Sequence, residues 1–208
     1  MKTTDPYGIT TVEQLRARIG EPHPLIPHKL WPALEPAAIE FIKRSPFLLL
    51  ATADTAGNMD VSPKGDRPGF VVAENETTLL IPDRKGNKLI FGLQNILANP
   101  HVGLIFLIPG TDETLRVNGT AELTADPATL ERLSARGQPA LVAIRVTVRE
   151  CFFHCAKAFM RSQLWHPESW SQRYRISFGK MFASKIGGGE AMAQQIDQSV
   201  EEDYKNNL

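Results

Sequence analysis

Cysteine is scarce. The 208 residues hold two, Cys151 and Cys155. Two close cysteines build no disulfide framework, so a reducing cytoplasm is the simpler reading. Excess charge is missing too. Lys+Arg and Asp+Glu number 23 each, for a net charge of zero. That argues against a general nucleic-acid binder, which needs a basic face, and leaves room for a local basic pocket. Long apolar runs are absent. FLLLA (47–51) and VGLIFLI (102–108) are the longest. Both have strand length and fall short of a bilayer's width, so no membrane span is expected. The opening MKTTDPYGIT has no apolar run behind its lysine and does not read as a secretory signal. No internal repeat, low-complexity stretch or dinucleotide-binding glycine fingerprint is present.

What is there reads as an ordinary globular chain, 42% hydrophobic and 22% charged. Residues 1–35 carry Pro6, Pro22, Pro24, Pro27 and Pro32 and suggest an arm over the surface, with a short helix at 12–19. PAAIEFIKR (36–44) reads as a helix ended by Ser45-Pro46. The period then changes. Strands are expected at 47–54, 59–64, 70–73, 77–82, 102–108, 114–123 and 141–148. Pro63 marks the second as an edge or bulged strand. Between them, Leu89, Ile90, Leu93, Ile96 and Leu97 fall on one helical face, and Asn99-Pro100 stops that helix. A further helix opens at Asp126-Pro127 and runs to Arg136. Strands joined mostly by short turns suggest an antiparallel barrel with peripheral helices rather than a doubly wound sheet. Leu115, Val117, Ala121 and Leu123 alternate with Thr114, Arg116, Asn118 and Thr120. Val142, Ile144, Val146 and Val148 alternate likewise with Arg145, Thr147 and Arg149. A small barrel fills its interior with side chains, so a ligand belongs on the outer wall.

Four segments carry chemistry. IPDRKGNK (81–88) puts Arg84, Lys85 and Lys88 before a helix, whose free N–H groups suit a phosphate; Asn87 is placed to cap or donate. A solvated basic loop would look the same. In DVSPKGD (60–66), Lys64 ends a strand and Gly65 lets backbone approach a ligand. In ETLRVNG (113–119), Arg116 sits mid-strand on the polar face, suited to an anionic ring system or to cross-strand ion pairs. In CFFHCAKAFMRSQLW (151–165) a strand runs into a helix spanning Ala156 to Trp165. Lys157 and Arg161 share one side of it. Trp165 lies near them, to cover a flat ligand or to pack. Cys151, His154 and Cys155 have the wrong spacing for a zinc finger or ribbon, so no metal is expected, although a metal-dependent reading stays open.

Together these segments resemble the pyridoxamine 5′-phosphate oxidase family of FMN-binding split-barrel proteins. FIKRSPFLLLATADTAGNMDVSPKGDRPGF, TLLIPDRKGNK, LANPHVGLIFLIPGTDETLRVNGTAEL and FFHCAKAFMRSQLW occur in the order of one subgroup of probable FMN-dependent enzymes, over roughly residues 38–170. The resemblance implies a mainly β fold, a six-stranded antiparallel split β-barrel. It divides the chain into an arm (1–35), an FMN-binding domain (36–165) and a C-terminal helical extension (166–208). Val61, Ser62, Pro63 and Lys64 match a strand that meets the flavin. Ile81 and Pro82 match the next strand end, and Asn87-Lys88 fall on an Arg-Lys phosphate pair. Arg84 or Lys85 then replaces the arginine. Thr114 falls on a flavin-contacting glutamine, with Arg116 its neighbour on that face. The oxidase's substrate residues have no counterpart. The expected protein is an FMN-dependent oxidoreductase of a small molecule, a homodimer with FMN at the subunit interface. Lys157, Arg161 and Trp165 would form the opposite wall, and His154 is the candidate proton relay. A non-catalytic flavin- or haem-binding carrier or sensor is the alternative.

Overall fold

Leucine-rich and β-branched runs form seven strands: β1 (Phe47–Ala53), β2 (Met59–Gly65), β3 (Val72–Asn75), β4 (Thr78–Asp83), β5 (His101–Leu107), β6 (Thr114–Thr124) and β7 (Val142–His154). The computed structural model describes residue 5 and residues 7–207. Most of the opening residues read for a leader, 1–4 and 6, lie outside the described residues. All pairings are antiparallel, in one sheet of order β2-β1-β5-β6-β7-β4-β3.

The expected six strands are therefore seven, and the sheet is not closed. The seventh arises because Val72–Asn75 pairs with β4 as a short strand of its own. Closure fails because the terminal strands β2 and β3 do not pair with each other. Pro63 sits in edge strand β2, where its missing N–H is tolerated and offers nothing to a further strand. The sheet curls instead until the end of β2 reaches the end of β4. There the Lys64 ammonium donates to the Asp83 carboxylate at 2.5 Å, an ion pair in place of a backbone ladder.

The expected alternation in β6 and β7 is present up to Val148. Leu115, Val117, Ile144 and Val146 are fully buried with Leu48, Leu50, Leu104 and Phe106. Two helices complete that core: α2 (Pro36–Arg44), through Ala38 and Ile42, and α3 (Phe91–Ala98), through Ile96. Beyond Val148 the register shifts. Asn118 faces Glu150 while Gly119 faces Val148, leaving Arg149 as an extra residue. This bulge reverses the inward phase, so Cys151 is buried. It also jams the backbones together. A Cβ on Gly119 would fall 2.1 Å from the Thr147 carbonyl oxygen. Gly119→Ala is expected to cost about 1–3 kcal/mol by overpacking, read as a lower denaturant midpoint at unchanged slope.

β4 covers β7 only from Val142 to Thr147. The arm covers part of the remainder of that strand. After α1 (Val12–Ile19) and a one-turn 3-10 helix (Ile26–Lys29), Trp31 exchanges both backbone hydrogen bonds with Cys151, at 3.0 and 2.8 Å. Leu34 then enters the core. The other helices are α4 (Pro127–Arg132), α5 (Lys157–Ser162), α6 (Phe178–Ile186) and α7 (Glu190–Asn206). α5 is shorter than the expected 156–165, because Gln163 takes a left-handed φ of 52° and ends it. α4 likewise stops four residues short of Arg136, at the cap Leu133. α6 and α7 cross at Gly179, which Asp197 ties to α7 by accepting from its N–H at 2.7 Å.

Candidate functional site

A cleft of about 1020 Å³ opens where β2 meets the end of β4, the upper end of the size range for small-molecule sites. Val61, Ser62, Pro63 and Lys64 line it from β2, Pro82 from β4, and Arg84, Lys85, Asn87 and Lys88 from the following loop. Nine of the proposed cofactor residues thus come together. Ile81 does not: it is fully buried in the core, on the inward phase of β4. Phe91 and Gly92 of α3 close one side, and Asp203 and Asn207 from the end of α7 and just beyond reach the rim.

The loop differs from its sequence reading. α3 begins at Phe91 rather than near Lys88, because Lys88 and Ile90 take left-handed φ values of 60° and 47°. That conformation is unfavourable for a β-branched residue, and such backbone concentrates at ligand sites. As a result Leu89 and Ile90 are exposed in the loop before the helix, and within α3 Leu97 is exposed while Ile96 is buried. The side chain of Asn95 in α3 donates to Thr52 of β1 at 3.1 Å and fixes the helix on the sheet.

The cations divide into two kinds. Arg84 is committed. Its Nε donates to Asp66 at 3.1 Å, and Arg136 donates to the other carboxylate oxygen at 3.1 Å. Burial presses the Asp66 pKa upward. The Arg67 N–H and the Arg136 and Arg84 guanidiniums outweigh it and hold the carboxyl below its usual range. Nη1 of Arg84 is nevertheless buried with no hydrogen-bond partner. Lys85 and Lys88 are exposed and make no ion pair among the described residues.

The remaining proposed residues lie elsewhere. Pro63, Leu49, Ile105, Arg116 and Phe152 form one cross-strand row on the outer face. Three strand spacings put Arg116 roughly 14 Å from Pro63. Nε of Arg116 is the second buried donor lacking a partner. Thr114 pairs with His154 at the end of that face and is buried, against expectation for an exposed wall. In the segment after β7, Trp165 donates from Nε1 to the Thr111 carbonyl at 2.9 Å and stacks on Phe159 at 5.7 Å. Trp165 therefore packs, while Lys157 and Arg161 remain exposed. Lys29 escaped the sequence reading altogether. Its Nζ lies 5.2 Å from the Phe152 ring centre, brought there by the Trp31–Cys151 bridge, and nothing local in the arm signals that pairing.

The two cysteines are split by the strand. Cys151 faces the core, and burial, with the Glu35 carboxylate nearby, pushes its thiol up to about 11. Cys155 is exposed, its Sγ 4.0 Å from His154 Nδ1. Among the described residues no three His, Cys, Asp or Glu side chains are grouped to hold a metal. One thiol is expected to react with a chromogenic disulfide reagent in the native protein and two after denaturation. Two fast thiols in the native state would contradict the burial of Cys151.

Among the described residues, no helix is long and apolar enough to cross a membrane. A family model for pyridoxamine 5′-phosphate oxidase matches residues 34–155. A search of curated proteins gave no match. Among solved structures, HupZ of Group A Streptococcus is similar at 17% identity and a TM-score of 0.47, over 58% of this chain and 93% of that one. A putative pyridoxamine 5′-phosphate oxidase of Lactobacillus delbrueckii is similar at 23% identity and a TM-score of 0.46, over 59% and 95%. An FMN-binding protein of Syntrophomonas wolfei is similar at 10% identity and a TM-score of 0.45, over 56% and 86%. The family match spans more than half of the chain and the whole sheet, and the chain belongs to the pyridoxamine 5′-phosphate oxidase family.

Proposed function

We propose that the protein is an FMN-dependent oxidoreductase acting on a small molecule, with its flavin held between two copies of the chain. The observation that carries this is the pairing of a basic, unsatisfied loop with a cleft of about 1020 Å³. Lys85 and Lys88 make no ion pair among the described residues, and Arg84 Nη1 is a buried donor awaiting an acceptor. A phosphate monoester answers all three. The residues present therefore fit FMN: Lys85, Lys88 and Arg84 for the phosphate, and the β2 backbone from Val61 to Lys64 for the ring system. The sequence carries no dinucleotide-binding glycine fingerprint, which favours FMN over FAD.

Bound FMN would supply hydride and single-electron transfer. The chain supplies position and charge. Lys64, held by Asp83, is preorganised at the cleft wall. Arg116 offers a guanidinium to negative charge on a reduced ring system, and its unpartnered Nε costs about 1–3 kcal/mol until an acceptor arrives. His154 beside Thr114 is the group placed to relay a proton.

Two observations support a second copy of the chain. The outer face carries apolar side chains open to solvent, Phe47 and Val61 among them, and Leu89, Ile90 and Phe91 rim the cleft. Arg116 stands roughly 14 Å along that face from Pro63, outside the residues that line its own cleft. A two-fold operation lays one face on the other and carries each Arg116 toward the partner's cleft, making two equivalent sites.

Heat-released cofactor tests the identity of the flavin. FMN on chromatography is expected, with the bound flavin bleached by a reduced nicotinamide. Recovery of FAD, or a Soret band of haem in its place, would overturn the assignment.

A further inference from the structure

The C-terminal extension reaches back to the cleft. Asp203 and Asn207, at the end of α7 and just beyond, line it together with Lys85, Asn87 and Lys88. The family match stops at residue 155, so this part of the lining comes from outside the matched segment. Asp203 is exposed and makes no ion pair among the described residues, just as Lys85 and Lys88 make none. Its neighbours are engaged elsewhere. Glu201 pairs with Arg175 at 3.8 Å, Glu202 accepts from Gln198 at 3.3 Å, and neither lines the cleft. Lys205, the cation of the last turn, does not line it either.

Asp203 is held in place. The Asn207 N–H donates to the Asp203 carbonyl at 2.9 Å, and Asn207 Nδ2 donates to its carboxylate at 2.7 Å. The helix behind it is braced on α6. The Ser177 hydroxyl and the Gly179 N–H both donate to Asp197, at 2.5 and 2.7 Å. Among the described residues, the hydrogen bonds and ion pairs of the two helices all lie within residues 175–207. The hairpin is thus one internally braced unit whose last turn stands at the cleft. A helix C-terminus carries about half a negative charge, the opposite of the helix end that suits a phosphate. A carboxylate and a helix C-terminus therefore share the cleft with the lysines of the basic loop.

We propose that the last turn of α7 is an acidic gate on the cleft. It opposes the anion that Lys85 and Lys88 attract and keeps that anion exchangeable. The flavin reading supplies FMN as the ligand, but the gate acts on any phosphate.

The test is Asp203→Asn in the full chain, which keeps an oxygen to accept from Asn207 and removes the charge. Quenching of flavin fluorescence at low salt reads FMN and riboflavin, and calorimetry reads inorganic phosphate. Asp203→Asn is expected to tighten FMN and phosphate by about three- to tenfold, with riboflavin changed by no more than about twofold. Asp203→Lys should tighten both further. Glu190→Gln, at the far end of α7, should change neither. The gain should shrink in roughly 0.5 M salt. FMN and phosphate no tighter in Asp203→Asn, or riboflavin tightened as much as FMN, would overturn the gate. Phosphate tightened by Asp203→Asn in a protein that takes up no flavin would overturn the flavin reading and leave the gate standing. Neither FMN nor phosphate bound by any of these proteins would overturn both.

Discussion

Alanine at both Lys85 and Lys88 is expected to weaken FMN by about 2–5 kcal/mol, roughly 30- to 5000-fold, with riboflavin affinity changed by no more than about twofold. The two flavins differ only in the phosphate, so the difference between them isolates the contact. Both lysines are exposed before binding, which favours the lower end of the range, since partly solvated charges are screened. Arg84 is left in place. Removing it would strip Asp66 of one of two guanidiniums and confound binding with stability. Quenching of flavin fluorescence reads both affinities. Equal losses for FMN and riboflavin would move the phosphate away from residues 85–88.

The second large effect is complementation between copies. A Lys85→Ala/Lys88→Ala chain lacks the phosphate wall. An Arg116→Ala/Lys157→Ala/Arg161→Ala chain lacks the facing wall. Each homodimer is expected to bind FMN poorly. Mixed by denaturation and refolding, they should form heterodimers in which one site combines both defects and the other is intact. About one FMN per heterodimer is then expected at a concentration where neither parent binds. Absence of recovery would place both walls on one chain. Trp165 is kept out of the second set, because its bond to Thr111 and its stack on Phe159 hold α5 in place.

How far the sequence could be read depends on the range of each interaction. Period-two burial in β6 and β7 is local, and so is the proline that marks β2 as an edge; both were legible. The bulge at Arg149 was not, because its signal, Gly119, lies on the partner strand some thirty residues away. The basic turn at 84–88 was legible as charge beside a helix. Its geometry was not, since Lys88 and Ile90 enter the left-handed region without the glycine or asparagine that announces it. The capture of Arg84 by Asp66 and of Lys29 by Phe152 depends on long-range closure of the sheet and the arm. Residue type alone carries no trace of either. Strand number was misjudged where the resemblance overruled the residues, which themselves spelled seven apolar segments.

The claim that FMN is bound at a site shared by two chains is tested most directly by sedimentation of the FMN-saturated protein, monitored in the flavin's visible band. The expected result is a single boundary at the mass of a dimer, carrying one FMN per chain, with no flavin on any slower species. Flavin moving with a stable monomer, or protein that sediments free of flavin, would contradict it.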